Sequence, residues 1–184
     1  MTEEPATDTE WADLIRHHRE EKQHTFTSAE GTPLSERALS AFDGLEFFPI
    51  DPDFRLTGRL EPFEDAREGT LEATRGPPMP FEHVGQLGIE LGGELAVLEV
   101  YRATGADALL LPFRDETNGR ETWEHGRYVN ISAPGESERG SRIEVTVDFN
   151  LAYHPLCVHD PTVRSAKPPA ENEIRASVRA GERR

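Results

Sequence analysis

The sequence predicts an α+β domain in which short N-terminal helices pack on a strongly bent antiparallel β-sheet, a partial barrel or roll. Helical periodicity is confined to residues 9–44, and the rest of the chain carries short apolar segments separated by turn residues. A length of 184 residues suits one domain. We expect flexible ends at residues 1–8 and 181–184 and a β-rich core at residues 45–180.

Two helices are predicted in the first 44 residues. The first begins at Thr9 and carries a thin apolar stripe of Trp11, Leu14 and Ile15. The second covers residues 32–42. Because the first stripe is short, we expect that helix to pack mainly through Trp11 at one end.

The strands follow from alternation, apolar runs and turn residues. Gly92 and Gly93 separate two apolar segments and are typical of a tight β-hairpin turn. Prolines in residues 76–80 predict a loop there. The predicted strands lie near residues 54–60, 71–74, 84–90, 95–102, 108–113, 127–132, 143–150 and 173–178.

Acidic residues dominate the charge. The chain has 35 Asp and Glu against 20 Lys and Arg, a formal charge of -15, and its only lysines are Lys22 and Lys167. This balance opposes binding to nucleic acids or anionic membranes through their phosphates. An acidic, lysine-poor composition is typical of a cytosolic protein working in molar salt, where the Debye length falls to roughly 3 Å.

We expect neither a transmembrane segment nor a secretory signal. No segment approaches the roughly 18 apolar residues that span a bilayer, and the N-terminal ten residues lack the features of a secretory signal. Cys157 is the only cysteine and cannot form an internal disulfide. We therefore expect a cytoplasmic protein with no membrane partner; the sequence does not indicate an oligomeric state.

Polar side chains concentrate in two segments, residues 113–128 and 148–157, at the ends of predicted strands. Loops on a rigid scaffold commonly build binding sites there. With a later Glu-Asn pair, these segments supply the candidate ligand-binding residues Arg114, Asp115, Thr117, Thr122, Arg127, Tyr128, Asp148, Asn150, Tyr153, Glu171 and Asn172.

These segments carry a family resemblance. The motifs are F-R-D-x-T-x-G-x-E-T-W-x-x-G-R-Y, D-F-N-x-A-Y-x-P-x-C, P-P-x-E-N and L-E-F-F-P-I-D-P-D-F-R. Together they resemble the DUF1684 family of uncharacterised bacterial and archaeal proteins over about Leu45 to Glu182, with a haloarchaeal character. The resemblance implies a domain identity and brings no established activity. His154 stands where the family usually has Asn, and Ala166 where it has a second cysteine, which puts a paired-cysteine site in doubt.

The arginines allow two interpretations. Arg114 and Arg127 could grip a carboxylate or phosphate together, since a guanidinium binds such groups through two hydrogen bonds. Alternatively, one of them pairs internally with Asp115 or Asp148 and only orders a loop.

Residues 148–157 also allow two interpretations. Side chains alternate along a strand, so Asp148 and Asn150 share a face and could line a cavity walled by Tyr128 and Tyr153. A buried aspartate there, Asp148 or Asp115, could act as a general base. The alternative is a turn network in which Asp148 and Asn150 bond to loop backbone.

His154, Cys157 and His159 form H-x-x-C-x-H, which could hold zinc with His125 or Asp160 as a fourth ligand. Exposed loop histidines are the favoured interpretation, so no metal is predicted. Cys157 could also be a nucleophile with a histidine as base. Motifs for ATP, NAD and zinc-protease chemistry are absent, and we predict no cofactor.

The leading hypothesis is binding of a small polar or anionic molecule between residues 113–128 and 148–157. One alternative is a hydrolase that uses Asp115 or Asp148 as base in the same pocket. The other is an interaction module in which the motif residues only hold loops together. Whether the protein is an enzyme is left open.

Overall fold

A computed structural model of the protein describes residues 8–131 and 142–184. Helix α1 spans Asp8–Thr27 and the short helix α2 spans Glu36–Ser40. The strands are β1 (Glu46–Phe47), β2 (Arg55–Leu71), β3 (Met79–Leu91), β4 (Glu94–Arg102), β5 (Leu109–Asp115), β6 (Arg127–Ile131), β7 (Ile143–Asp148), β8 (Glu173–Ile174) and β9 (Glu182–Arg183). Residues 1–7 and 132, expected as part of the N-terminus and of a strand, lie outside the described residues.

The main sheet is strongly curled and forms a half-barrel, which confirms the predicted fold class. Its antiparallel strands follow the order β6-β5-β4-β3-β2-β7, and β8 adds to β5 in parallel. A separate two-stranded sheet joins β1 to β9. The hairpin predicted at Gly92–Gly93 connects β3 to β4 with Leu91 opposite Glu94.

Two strands are longer than predicted. β2 runs through the polar residues 61–70, and β3 begins inside the segment expected to be a loop, at Met79. Pairing between these strands shifts register between Pro62 and Arg67. At this bend a Cβ on Gly85 would lie 2.4 Å from the Glu61 carbonyl oxygen, so the close approach requires glycine.

The core lies inside the curl of the sheet. It is built from Leu, Ile, Val and Phe side chains of β2 to β7, among them Leu87, Leu98, Leu111 and Phe113. Helix α1 packs through Trp11, Ile15 and Phe26, whereas Leu14 is 62% exposed, so the predicted stripe is wrong at that residue.

The C-terminal segment crosses the structure as a strap. The strand predicted at residues 173–178 is only two residues long, because the chain leaves β5 after Ile174. Residues 181–184, expected to be flexible, instead contain β9, and the Glu182 side chain is 1% exposed. Within the described part of the chain, neither helix combines the length and apolar character needed to cross a membrane.

Candidate functional site

The most buried candidate is Arg127, whose side chain has no exposed surface. Its Nη2 lies 2.7 Å from Asp115 Oδ2 and donates to the Val178 carbonyl, while Nη1 donates to the carbonyls of Ala180 and Glu182. Burial lowers the pKa of Arg127, and the Asp115 charge opposes that change. Arg127 therefore fastens the C-terminal strap to the sheet. It does not converge with Arg114 on a ligand, so that expectation is wrong at this residue.

Asp115 also organises the turn that follows β5. Its Oδ1 accepts the Thr117 N–H at 2.6 Å and the Thr117 hydroxyl. The Thr117 and Thr122 hydroxyl oxygens lie 2.8 Å apart, and both side chains are buried. These three residues hold the loop together, which leaves no free carboxylate for base catalysis at Asp115.

Asp148 and Asn150 form a junction between distant segments. Asp148 Oδ2 accepts the indole N–H of Trp11 at 2.6 Å, and its Oδ1 accepts the Asn150 N–H at 2.9 Å. Asn150 also bonds both backbone groups of Asp51. β7 ends at Asp148, so the two side chains do not share a strand face as predicted. They join helix α1 and the Asp51 turn to the sheet.

Tyr128 and Tyr153 pack edge to face, with ring centroids 5.7 Å apart. The Tyr128 hydroxyl donates to the Ala166 carbonyl, and the Tyr153 hydroxyl donates to Asn130 Oδ1 at 3.1 Å. Burial raises the pKa of Tyr128, and it raises that of Tyr153 to about 12. The two rings pack against each other, and neither lines the cavity beside Arg114 that is described next.

Arg114 lies at an open cavity of about 680 Å³. Its side chain is exposed, and its guanidinium has no hydrogen-bond or ion-pair partner among residues 8–131 and 142–184. The cavity lies between the end of β2, strands β3 and β4, the 114–125 segment and the Pro-Pro segment. Its charged and titratable lining residues are Glu72, His83, Glu99, Tyr101, Arg114, His125, Lys167 and Glu171.

Asn172 fixes the Pro-Pro segment at this cavity. The side chain is fully buried: Oδ1 accepts the Glu99 N–H at 2.7 Å, and Nδ2 donates to the carbonyls of Glu99 and Pro112. The neighbouring Glu171 is exposed and lines the cavity. Asn172 is thus a positioning residue, and Glu171 is available to a ligand.

His83 and Glu99 form a pair on the cavity wall that the sequence analysis missed. His83 Nε2 lies 2.5 Å from Glu99 Oε2, and Gln86 donates to Glu99 Oε1 at 2.8 Å. The His83 ring stacks on Tyr101 at 5.0 Å, and burial raises the pKa of Tyr101 to about 12. The Gly92–Gly93 turn could have predicted part of this pair, because the hairpin register that it sets places Glu99 opposite Gln86. The register shift between His83 and Gly85 then brings His83 beside it.

The remaining charges of the wall are partly paired. Lys167 Nζ lies 2.8 Å from Glu72 Oε1, and this hydrogen bond lowers the pKa of Glu72. His125 packs edge to face on Trp123. The cavity therefore offers Arg114 and Glu171 as charged groups without an internal partner in the described chain.

The histidines of H-x-x-C-x-H lie elsewhere. His154 and His159 face the buried Glu182, whereas His125 lies at the Arg114 cavity. The Cys157 N–H donates to Ser165 Oγ, and its thiol is not part of the cluster. Asp160 accepts bonds from Ser35 and Thr162, which lower its pKa and occupy its carboxylate. Contrary to the expectation of exposed loop histidines, His154 is buried, and burial lowers its pKa to about 3.

Comparisons with known proteins identify a family and give no activity. The model of the family described as "Protein of unknown function (DUF1684)" matches residues 40–183. The solution NMR structure of an uncharacterized protein of Haloarcula marismortui is similar over 96% of this chain and 95% of that chain, with 32% identity and a TM-score of 0.72. No curated protein matches the chain.

Proposed function

The chain belongs to the DUF1684 family of proteins of unknown function, and we propose that it binds a small polar molecule with an anionic group in the Arg114 cavity. The observation that carries this proposal is the exposed Arg114 guanidinium at a cavity of about 680 Å³, which has no partner among residues 8–131 and 142–184. This volume lies within the range of about 300–1,000 Å³ common for small-molecule sites.

Arg114 is the group of the cavity wall that favours an anionic ligand, although the chain as a whole carries a charge of -15. Lys167 also lines the cavity, where it is paired with Glu72. A guanidinium can bind a carboxylate or phosphate through two parallel hydrogen bonds. Glu171 adds an acceptor for a hydroxyl or ammonium group of the same ligand.

One wall of the proposed site differs from the wall that the sequence predicts. Residues 148–157 do not line this cavity, and their polar groups are engaged in the junctions described above. Strands β3 and β4 and the segment 167–171 take their place.

A thermal-shift screen against carboxylated and phosphorylated metabolites, in about 2 M KCl, tests the proposal. A ligand at about 100 times its dissociation constant should stabilise the protein by roughly 2.7 kcal/mol. Arg114→Ala should abolish that shift, and Arg120→Ala, at an exposed position outside the cavity, should retain it. A cooperative melt that no compound shifts would overturn the proposal and favour an interaction module.

A hydrolase remains a second candidate, with a different base from the one predicted. Asp115 and Asp148 do not line the cavity, and both carboxylates are occupied. The His83–Glu99 pair favours this candidate, since a carboxylate that binds Nε2 orients the ring and leaves Nδ1 as the base. His83 would take a proton from water as its oxygen attacks an ester carbonyl, then return the proton to the departing alkoxide.

An aryl ester with a free carboxylate, mono-4-nitrophenyl succinate, probes this activity. We expect nitrophenolate release that His83→Gln abolishes and that His17→Gln, at an exposed position on helix α1, retains. Equal rates for the two variants would reject His83 as the base.

We also propose that the protein works in the cytoplasm of a salt-adapted cell. The acidic excess and the two lysines support this, as does the likeness to a protein of Haloarcula marismortui. Surface carboxylates at this density repel one another in dilute buffer and are screened in molar salt.

A further inference from the structure

We propose that His159, Glu182 and His154 form a binding site for a divalent transition-metal ion of the zinc type, separate from the Arg114 cavity. The three residues line a separate cavity, of about 260 Å³, between the β1–β9 sheet and residues 154–159. Imidazole nitrogen and carboxylate oxygen together suit ions of intermediate softness, such as Zn²⁺ and Co²⁺.

The distances between the donor atoms fit one ion. Glu182 Oε2 lies 3.5 Å from His154 Nδ1 and 3.7 Å from His159 Nε2. All three atoms lie within 4.8 Å of one another. Bonds of about 2.0–2.2 Å to a tetrahedral ion separate neighbouring ligands by roughly 3.3–3.6 Å. Small side-chain movements would therefore complete the site.

His159 contributes a buried ring nitrogen to the site. Its side chain is 14% exposed, and its Nε2 is buried without a hydrogen-bond partner among the described residues. The other such atoms in the described chain are Nε atoms of arginines, which carry a proton and cannot bind a metal ion. An imidazole nitrogen that makes no hydrogen bond and lies beside a carboxylate is well placed to bind a metal ion once it carries no proton.

The two carboxylate oxygens of Glu182 have different partners. Oε1 accepts from Lys22 Nζ at 2.5 Å, and Oε2 accepts the His154 backbone N–H at 2.7 Å and faces both imidazoles. Lys22 thus occupies the oxygen that the ion does not need. The ion and Lys22 repel each other, so removal of Lys22 should favour the ion.

His154 has the weaker ligand position of the two histidines. Its Nε2 accepts the Trp123 N–H at 3.2 Å, so the ring proton lies on Nδ1. Ligation through Nδ1 moves this proton to Nε2 and breaks that long hydrogen bond. We therefore assign His159 and Glu182 as the primary ligands and His154 as the third, with water completing the coordination.

A Co²⁺ titration of the chelator-treated full chain in about 2 M KCl tests the site, because the high salt screens the surface carboxylates. We expect visible d–d absorption that saturates at one equivalent and that Zn²⁺ displaces. His159→Phe keeps the edge-to-face contacts with Phe26 and Phe42 and should weaken binding at least tenfold. His125→Phe, at the other cavity, should leave binding unchanged.

A second measurement does not depend on Glu182 variants, which remove a buried group. Lys22→Met leaves the Glu182 charge unpaired, so its melting temperature should fall in EDTA and recover with Zn²⁺. The double variant with His159→Phe should not recover. The proposal is overturned if Co²⁺ binds wild type and His159→Phe equally, or if millimolar Zn²⁺ neither binds wild type nor rescues Lys22→Met.

Discussion

The side-chain amide of Asn172 bonds both backbone groups of Glu99, accepting its N–H at 2.7 Å and donating to its carbonyl at 2.8 Å. This is the pattern by which a neighbouring strand would pair with that position. A third bond to the Pro112 carbonyl at 2.6 Å ties the same amide to β5. One side chain therefore joins β4, β5 and the Pro-Pro segment behind the candidate cavity.

Replacement of Asn172 should cost more than most polar substitutions. Asn172→Ala leaves the Glu99 N–H and two carbonyls without partners inside the protein, at about 1–3 kcal/mol for each buried group left unsatisfied. We expect a loss of about 3 kcal/mol in the free energy of unfolding, measured by denaturant titration. Asn130→Ala, which removes one exposed side-chain bond to Tyr153, should cost under about 1 kcal/mol. Equal losses of unfolding free energy in the two variants would show that the Asn172 hydrogen bonds do not contribute more to stability than an exposed one.

Loss of the Arg127 side chain should destabilise the attachment of the C-terminal strap. Arg127→Met leaves Asp115 charged and unpaired in the interior and removes donors from three carbonyls of the strap. Breaking a buried ion pair by removing one partner typically costs about 3–5 kcal/mol. We expect a loss of this size, and increased hydrogen exchange at residues 178–182.

The matched control for Arg127 is Arg179, which pairs with Glu121 on the surface at 2.9 Å. Arg179→Met should change the free energy of unfolding by no more than about 1 kcal/mol. If Arg127→Met lowered the free energy of unfolding as little as Arg179→Met, the buried Arg127–Asp115 pair could not be what holds the strap.

Local sequence signals predict the hairpin and the fold class well, because Gly92–Gly93 and the apolar alternation act at short range. They underestimate β2, whose polar residues 61–70 become a strand only through pairing with β3 across a shifted register. The sequence also leaves two roles open for Arg127, and the choice depends on carbonyls 51 to 55 residues away. His83 and Glu99 were missed for the same reason, since each is an ordinary strand residue until the strands pair.

The tyrosines predict how the protein behaves in alkali. Burial raises the pKa of all three, to about 12 for Tyr101 and Tyr153 and further for Tyr128. The folded state therefore favours neutral phenols, whereas the unfolded chain ionises near its ordinary pKa of about 10. The stability that this provides is complete below about pH 10 and declines as the pH rises towards the folded-state values.

Absorbance of tyrosinate in the ultraviolet checks this. The folded protein should show almost no phenolate at pH 10.5, and the signal should appear together with unfolding. The same chain in urea should titrate with a midpoint near 10. A folded protein with that same midpoint would contradict the raised pKa of these tyrosines.

Added salt should stabilise the fold of this acidic chain. With 35 acidic and 20 basic residues, exposed carboxylates repel one another in dilute buffer, and about 1 M salt shortens the Debye length to roughly 3 Å. Surface pairs such as Arg179–Glu121 lose little by screening, since each contributes about 0–1 kcal/mol. Relief of repulsion should dominate, and the melting temperature should rise by at least about 3 °C between dilute buffer and 2 M KCl.

A charge variant separates screening from general salt effects on the apolar core. Glu64, Glu68 and Glu90 are exposed on the neighbouring strands β2 and β3. Their triple replacement by Gln should raise the melting temperature in dilute buffer and reduce the gain on adding KCl, because fewer like charges remain to be screened. If wild type and variant gained equally from salt, the stabilisation would come from burial of apolar surface, which salts also strengthen. The acidic surface would then make no measurable contribution to the stabilisation by KCl.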